Sequence, residues 1–192
     1  MPWLAPTGDE VELPTRLLAL KLMPFDTAGL TADYTQKGGS VVQGSPALST
    51  TATNYNLPGL NGSIRNSVDN LLASGTWNRD LGSAATGDYQ VSYCTGDLRV
   101  TGSMTGAGIL LVGGDLAVAG DMRWDGLVVV LGDFITSGSS MINGAVIQGP
   151  DAETIDLRGE SVVRFSTEAL SQLNLLLEPD YEIADIREIS QW

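Results

Sequence analysis

Gly108-Ile109-Leu110-Leu111-Val112-Gly113-Gly114-Asp115-Leu116-Ala117-Val118-Ala119-Gly120-Asp121-Met122-Arg123-Trp124-Asp125-Gly126 is the stretch that decides the fold. Glycine stands at 108, 114, 120 and 126, and the six-residue phase runs unbroken from Gly96 to Gly144, nine glycines in all. Between glycines the chain alternates. Leu98/Val100, Leu110/Val112, Leu116/Val118, Met122/Trp124, Val128/Val130 and Phe134/Thr136 occupy the third and fifth places of their hexads. Period-two alternation makes short strands with those side chains inward, and a glycine after each strand permits a tight corner.

A longer period lies on the first. Gly-Asp followed by an apolar residue occurs at 96–98, 114–116 and 132–134, and Asp97, Asp115, Asp133 and Asp151 are spaced by 18. Three hexads therefore close one coil, and successive coils stack as parallel strands about 4.8 Å apart. The pattern predicts an all-β fold: a parallel β-helix of 18 residues per coil and about four coils. Left-handed hexapeptide helices place the small residue directly after the inward aliphatic. One position intervenes here, so a right-handed winding is expected.

Outside the repeat, residues 1–37 read as a mixed N-terminal segment whose short apolar stretch, Leu17 to Met23, fits a helical turn or a strand equally well. Residues 38–168 read as the solenoid, with a covering helix near 63–74. Ser63 is placed to cap it, and Ile64, Val68, Leu71 and Leu72 fall on one face. Residues 169–192 read as a C-terminal amphipathic helix and tail. Its stripe is Ala169, Leu170, Leu173, Leu176 and Leu177, ending at Pro179.

Composition narrows the chemistry. The 192 residues contain no His and one Cys, with a net charge of −13. Without His there is no imidazole ligand, Ser-His or Cys-His pair, or His base. One Cys excludes an intramolecular disulfide and a thiolate metal cluster. The acidic balance argues against nucleic acid and anionic membranes as partners. No apolar run reaches the roughly eighteen residues of a membrane span. Residues 1–10 carry no signal-peptide pattern.

Three groups of residues are candidate sites. The column Asp97, Asp115, Asp133 and Asp151 is a weak Ca²⁺ candidate, although the nine-residue calcium-solenoid signature is absent. A corner aspartate more commonly accepts hydrogen bonds from backbone N–H groups two residues on. Asp121, Arg123 and Asp125 project outward on one strand. Two carboxylates there could act on a glycan, but such charges usually make a solvated face. Ile109, Leu111, Leu127, Val129, Leu131 and Ile147 give the third face an apolar exterior as well as an apolar interior. A sheet apolar on both sides is covered on both sides, by an amphipathic helix or by a partner or second copy; the six residues are thus a candidate interaction face. Trp124, one coil from Gly106, and Cys94 read as core. No cofactor motif is present.

The run from Gly106 through Gly114-Asp115-Leu116 and Gly120-Asp121-Met122-Arg123-Trp124-Asp125-Gly126 to Val130 resembles the C-terminal β-helical region of bacterial PilX-type pilus-assembly proteins. The pattern continues in Ile142-Asn143-Gly144-Ala145-Val146 and in Arg164-Phe165-Ser166-Thr167-Glu168-Ala169-Leu170. The likeness spans about residues 88–170. It implies a non-enzymatic structural or interaction module of a pilus-like or secretion-like assembly. Its partners would be proteins, and its place the periplasmic or extracellular side of the cell envelope. That family usually carries an N-terminal membrane helix, which this sequence lacks, as a trimmed ectodomain or a soluble relative would. The hexads also resemble those of bactofilins, cytoplasmic β-helices that polymerise end to end, which would imply a self-associating scaffold. Against that, about 90 residues precede the solenoid here. A solenoid glycan-active enzyme is the third expectation.

Overall fold

The computed structural model describes residues 25–27, 34–43, 48–49, 57–149 and 152–177. Strands β1 (Phe25–Thr27), β2 (Tyr34–Gln36), β3 (Val41–Gln43) and β4 (Leu48–Ser49) precede helix α1 (Leu57–Asn66). Then come β5 (Asn70–Leu72), β6 (Gly75–Thr76), β7 (Asp80–Leu81), a 3-10 turn at Ala84–Thr86, and β8 (Gln90–Cys94). The regular region is β9 (Leu98–Val100), β10 (Ser103–Val112), β11 (Leu116–Val118), β12 (Asp121–Val130), β13 (Phe134–Thr136) and β14 (Ser139–Gln148). It closes with β15 (Ile155–Leu157), β16 (Glu160–Phe165), helix α2 (Thr167–Ser171) and a 3-10 turn at Gln172–Leu175.

All named strands pair in parallel, forming a β-solenoid of about five turns. Met104 lies opposite Met122, and Leu116 opposite Phe134, each 18 residues on, as the glycine phase requires. The count exceeds the expected four because turns without hexad glycines extend the stack. At the start, β5, β6 and β7 pair with β8, β9 and β10 at irregular offsets. At the end the offset grows to 21, so that Phe134 faces Ile155 and Ser139 faces Glu160.

The three corners are not alike. Those at Gly96, Gly114 and Gly132 and at Gly102, Gly120 and Gly138 interrupt the ladders. The third lies inside the ten-residue strands β10, β12 and β14, at Gly108, Gly126 and Gly144, whose φ angles are +117°, +137° and +153°. There the backbone bends while the ladder continues. Two of the three faces consequently belong to one ten-stranded sheet, and the other is a six-stranded sheet.

The N-terminal strands lie far from where their sequence position would put them. β2 pairs with β15 and β3 with β16, so residues 34–43 form a further coil on the last turn of the solenoid. β1 adds to β14, and β4 adds to β1. The expected boundary at residue 37 therefore falls inside a coil. The chain then returns to the opposite end at β5, with α1 against β8 and β10. The stretch Leu17 to Met23 lies outside the described residues.

Two helix expectations are corrected in detail. The covering helix occupies Leu57–Asn66 rather than 63–74, and Ser63 is buried within it instead of capping it. Residues 70–72 are a strand, with Leu72 inward and Leu71 67 % exposed. After Ser166 the chain makes one short helix and a 3-10 turn in place of a single longer helix. Ser166 caps that helix: its hydroxyl accepts from the Ala169 N–H at 3.2 Å. Residues 178–192, with Pro179, lie outside the described residues.

Apolar side chains fill two spaces. Inside the tube, Leu98, Leu116, Phe134 and Ile155 stack in one column, and Trp124 lies over Gly106. The second cluster lies outside the third face, beneath the helices.

Candidate functional site

The Asp column forms a ladder between coils. Asp97 Oδ1 accepts from the Asp115 N–H at 3.0 Å, and Asp115 Oδ1 accepts from the Asp133 N–H at 2.9 Å. Asp133 Oδ1 accepts from the N–H groups of Glu153 and Thr154, both at 2.8 Å. The expected corner-capping role holds, with a different partner: the N–H lies one coil on, not two residues on. Stacking places the next corner directly over each carboxylate, which is closer than the residue's own turn. Asp151 lies outside the described residues, and the three-residue offset brings Thr154 to the place above Asp133. Asp97 and Asp115 are exposed, so water screens their repulsion.

With these oxygens turned to backbone donors, the column is a structural ladder in this structure. No cluster of three metal-ligating side chains occurs among the described residues. Asp115→Ala should lower stability by about 1 kcal/mol by leaving the Asp133 N–H to water, whereas Asp115→Asn, which retains the acceptor oxygen, should change it by less than about 0.5 kcal/mol. Thermal melts of the three proteins, with Ca²⁺ and with chelator, check both points. A midpoint raised by Ca²⁺ in the wild type and not in Asp115→Ala would restore the metal reading.

The candidate interaction face is covered. Ile109, Leu111, Leu127, Val129 and Ile147 have no solvent exposure, and Leu131 is half-buried. Leu170, Leu173 and Leu177 pack on them from the C-terminal helical segment, and Ile64 packs from α1. These six residues therefore form a second core rather than a free surface. An aliphatic exterior on three successive strands is most stable when removed from water, and the chain supplies its own cover.

Another outward surface is the face carrying Asp121, Arg123 and Asp125. Asp121 and Arg123 are exposed. Asp125 is half-buried and its Oδ1 accepts from Asn143 Nδ2 at 3.0 Å, one coil on. A depression of about 430 Å³ runs along the first half of this face. Ser103, Asp121, Arg123, Ser139, Met141 and Glu160 are among its lining residues. It is a hydroxyl- and charge-bearing strip in which Met141 is exposed. The Asp121/Asp125 pairing considered for glycan chemistry is not brought together: Asp125 lies outside the depression, held by Asn143. Glu160 was missed by sequence reasoning. The 21-residue offset that brings it into line with Ser139 and Asp121 breaks the hexad phase.

Trp124 and Cys94 occupy the core, as expected of them. The Trp124 indole N–H donates to the Gly108 carbonyl at 3.2 Å. Cys94 is fully buried. Burial pushes its thiol above the ordinary value, a hydrogen bond with the Gly96 backbone partly opposes this, and the nearby Asp97 carboxylate adds to the rise. A thiol held protonated and out of water is a poor nucleophile. No described helix is long and apolar enough to cross a membrane. No protein-family model, curated protein or solved structure matches the chain.

Proposed function

We propose that this protein is a rigid, non-enzymatic interaction module of a pilus-like or secretion-like assembly of the bacterial envelope, working through protein partners. The observation that carries the reading is that the end coils of the described stack are short-stranded and irregular, with a side chain packed against the tube core at each. At the first turn, Trp77 packs on the tube core while its indole N–H donates to the Ala73 carbonyl at 2.7 Å, and the Arg79 guanidinium lies 5.6 Å from its ring. At the last turn, β2 and β3 lie over β15 and β16, and Val42 packs inward. Short, irregular end strands disfavour pairing with further copies. A bactofilin-like polymer would need regular end coils that match one another. The resemblance of residues 88–170 to the PilX-type β-helical region, and the absence of His from the sequence, point the same way.

The cellular test is deletion of the gene followed by fractionation and electron microscopy. The reading expects the protein in the envelope fraction, and loss or shortening of surface fibres that the intact gene restores. A cytoplasmic protein with normal fibres overturns it. Size-exclusion chromatography and negative-stain imaging over a range of concentrations supply the biochemical arm. A single small species is expected, and filaments along the coil axis would move the assignment to a cytoskeletal scaffold.

A further inference from the structure

We infer that the outer face of the first half of the long strands is a docking surface for an amphipathic helix of a partner protein, one with basic residues along one side of its apolar stripe. The inference rests on the reading of the protein as a module that works through protein partners, and it deepens that reading by naming the surface and the kind of partner.

Strand pairing sets the outward residues of this face in columns along the tube. The middle column runs Thr105, Arg123, Met141, Val162 and Val41. It turns from polar to apolar toward the last coils. Met141 and Val41 are 45 % and 40 % exposed, and Val162 between them is half-buried. Exposed apolar side chains scattered singly are ordinary, but these three stand side by side on neighbouring strands and make one ridge.

The columns on either side differ in how their polar groups are satisfied. On one side Asp125 bonds with Asn143, and Arg164 with Gln43. On the other, Ser103, Asp121, Ser139 and Glu160 stand in register and are all exposed. The Asp121 and Glu160 carboxylates make no hydrogen bond or ion pair with another described residue, and neither does the Arg123 guanidinium. A row holding two free carboxylates beside an apolar ridge is complementary to a basic row beside an apolar stripe. Arg123, where the ridge begins, is complementary to an acidic residue at that end of the partner. The net charge of −13 steers a basic segment toward the protein.

The third face shows what form such an occupant takes. There α2 lies against β14 and β12, and the 3-10 turn after it against β12 and β10, so the segment runs along the tube across successive strands. Its Leu170, Leu173 and Leu177, at i, i+3 and i+7, pack on the outward side chains. A helical turn rises about 5.4 Å and neighbouring strands lie about 4.8 Å apart, so one helix stripe meets one column strand by strand. An extended chain repeats its sides every 6.7 Å or so and falls out of step with the column. Three outward columns make a band about 13 Å wide, which a helix about 10–12 Å across covers. The depression of about 430 Å³ occupies two of the three columns, those of Asp121 and Arg123.

The test uses the full-length protein in the cells that make it. A photo-reactive amino acid replaces Met141 in one strain and, as a control, Ala117 on the six-stranded sheet in another. Cross-linked peptides are then identified by mass spectrometry. The expected result is an adduct with a different protein at position 141 well above that at 117, linked through a segment with apolar residues at helical spacing and Lys or Arg beside them. Asp121→Lys combined with Glu160→Lys should lower this adduct on the order of tenfold. Both side chains are exposed, so the melting temperature should stay at the wild-type value. No adduct at 141, linkage to a second copy or to the chain's own residues, a partner segment without that pattern, or an adduct indifferent to the charge reversal overturns the proposal. Fractionation of the same cells separates the two readings. Such a partner captured in the cytoplasm upholds the docking surface and overturns the envelope location, whereas an envelope protein without an adduct at 141 does the reverse.

Discussion

Gly126→Ala is expected to abolish the cooperative native state or to cost at least about 4 kcal/mol. Two effects combine. Gly126 has φ +137°, a conformation that an L-residue enters only under strain. A Cβ there would also overlap the Gly108 carbonyl oxygen of the preceding coil, and that oxygen is backbone and cannot move aside. Gly144 repeats the arrangement over Gly126, so one methyl group would push two coils apart at the bend the ladder crosses. Gly62→Ala is the control. Gly62 lies in α1, nothing approaches its Cβ position within 4 Å, and the change should raise stability by about 0.5–1 kcal/mol. Denaturant unfolding of the two variants checks the contrast. Equal, small effects would mean that the stacked glycine corner is not what sets the coil spacing.

The second large effect is expected between Gly106 and Trp124. Trp124 is 1 % exposed and its six-membered ring occupies the place where a side chain at Gly106 would lie. Trp124→Leu should cost about 3 kcal/mol, from lost burial and an incompletely collapsed cavity. Gly106→Ala should cost about 2–3 kcal/mol by overpacking against the indole. Together the two changes should cost less than their sum by 1 kcal/mol or more, because the smaller leucine leaves room for the new methyl. A double-mutant cycle by chemical denaturation measures this coupling. Strict additivity would mean that the two residues do not share one packing site.

How far the sequence discloses this architecture depends on range. The regular offset of 18 from Met104 to Met122 to Ser140 was readable because each glycine corner is enforced by backbone sterics that repeat identically every coil. Inward residues followed at once from alternation within the hexads. Glu160 was not legible. A three-residue offset between β13 and β15 shifts every later residue out of phase, and only pairing with β14 restores its alignment. The helix near Ser63 was misplaced for another reason. Leu71 and Leu72 fit a helical stripe as well as a strand, and the edge of β8 was there to take them as a strand.

The site readings divide in the same way. That Asp97, Asp115 and Asp133 hold corners was visible in their position after glycine. That each holds the corner one coil on required the stack, since the partner N–H is 18 residues away in sequence and adjacent only in space. The apolar third face announced that something covers it, but not what. Leu170, Leu173, Leu177 and Ile64 proved to be the cover, because only the closed tube brings both chain segments to that side.

The sequence by itself therefore determined the solenoid, its period and its inward residues, all consequences of local sterics repeated in register. The tertiary structure alone decided how the tube ends. Residues 34–43 carry too few apolar side chains to specify a place by pattern. They reach the last turn through unpaired backbone groups at the β15–β16 edge, a partner that exists only once the coils have stacked.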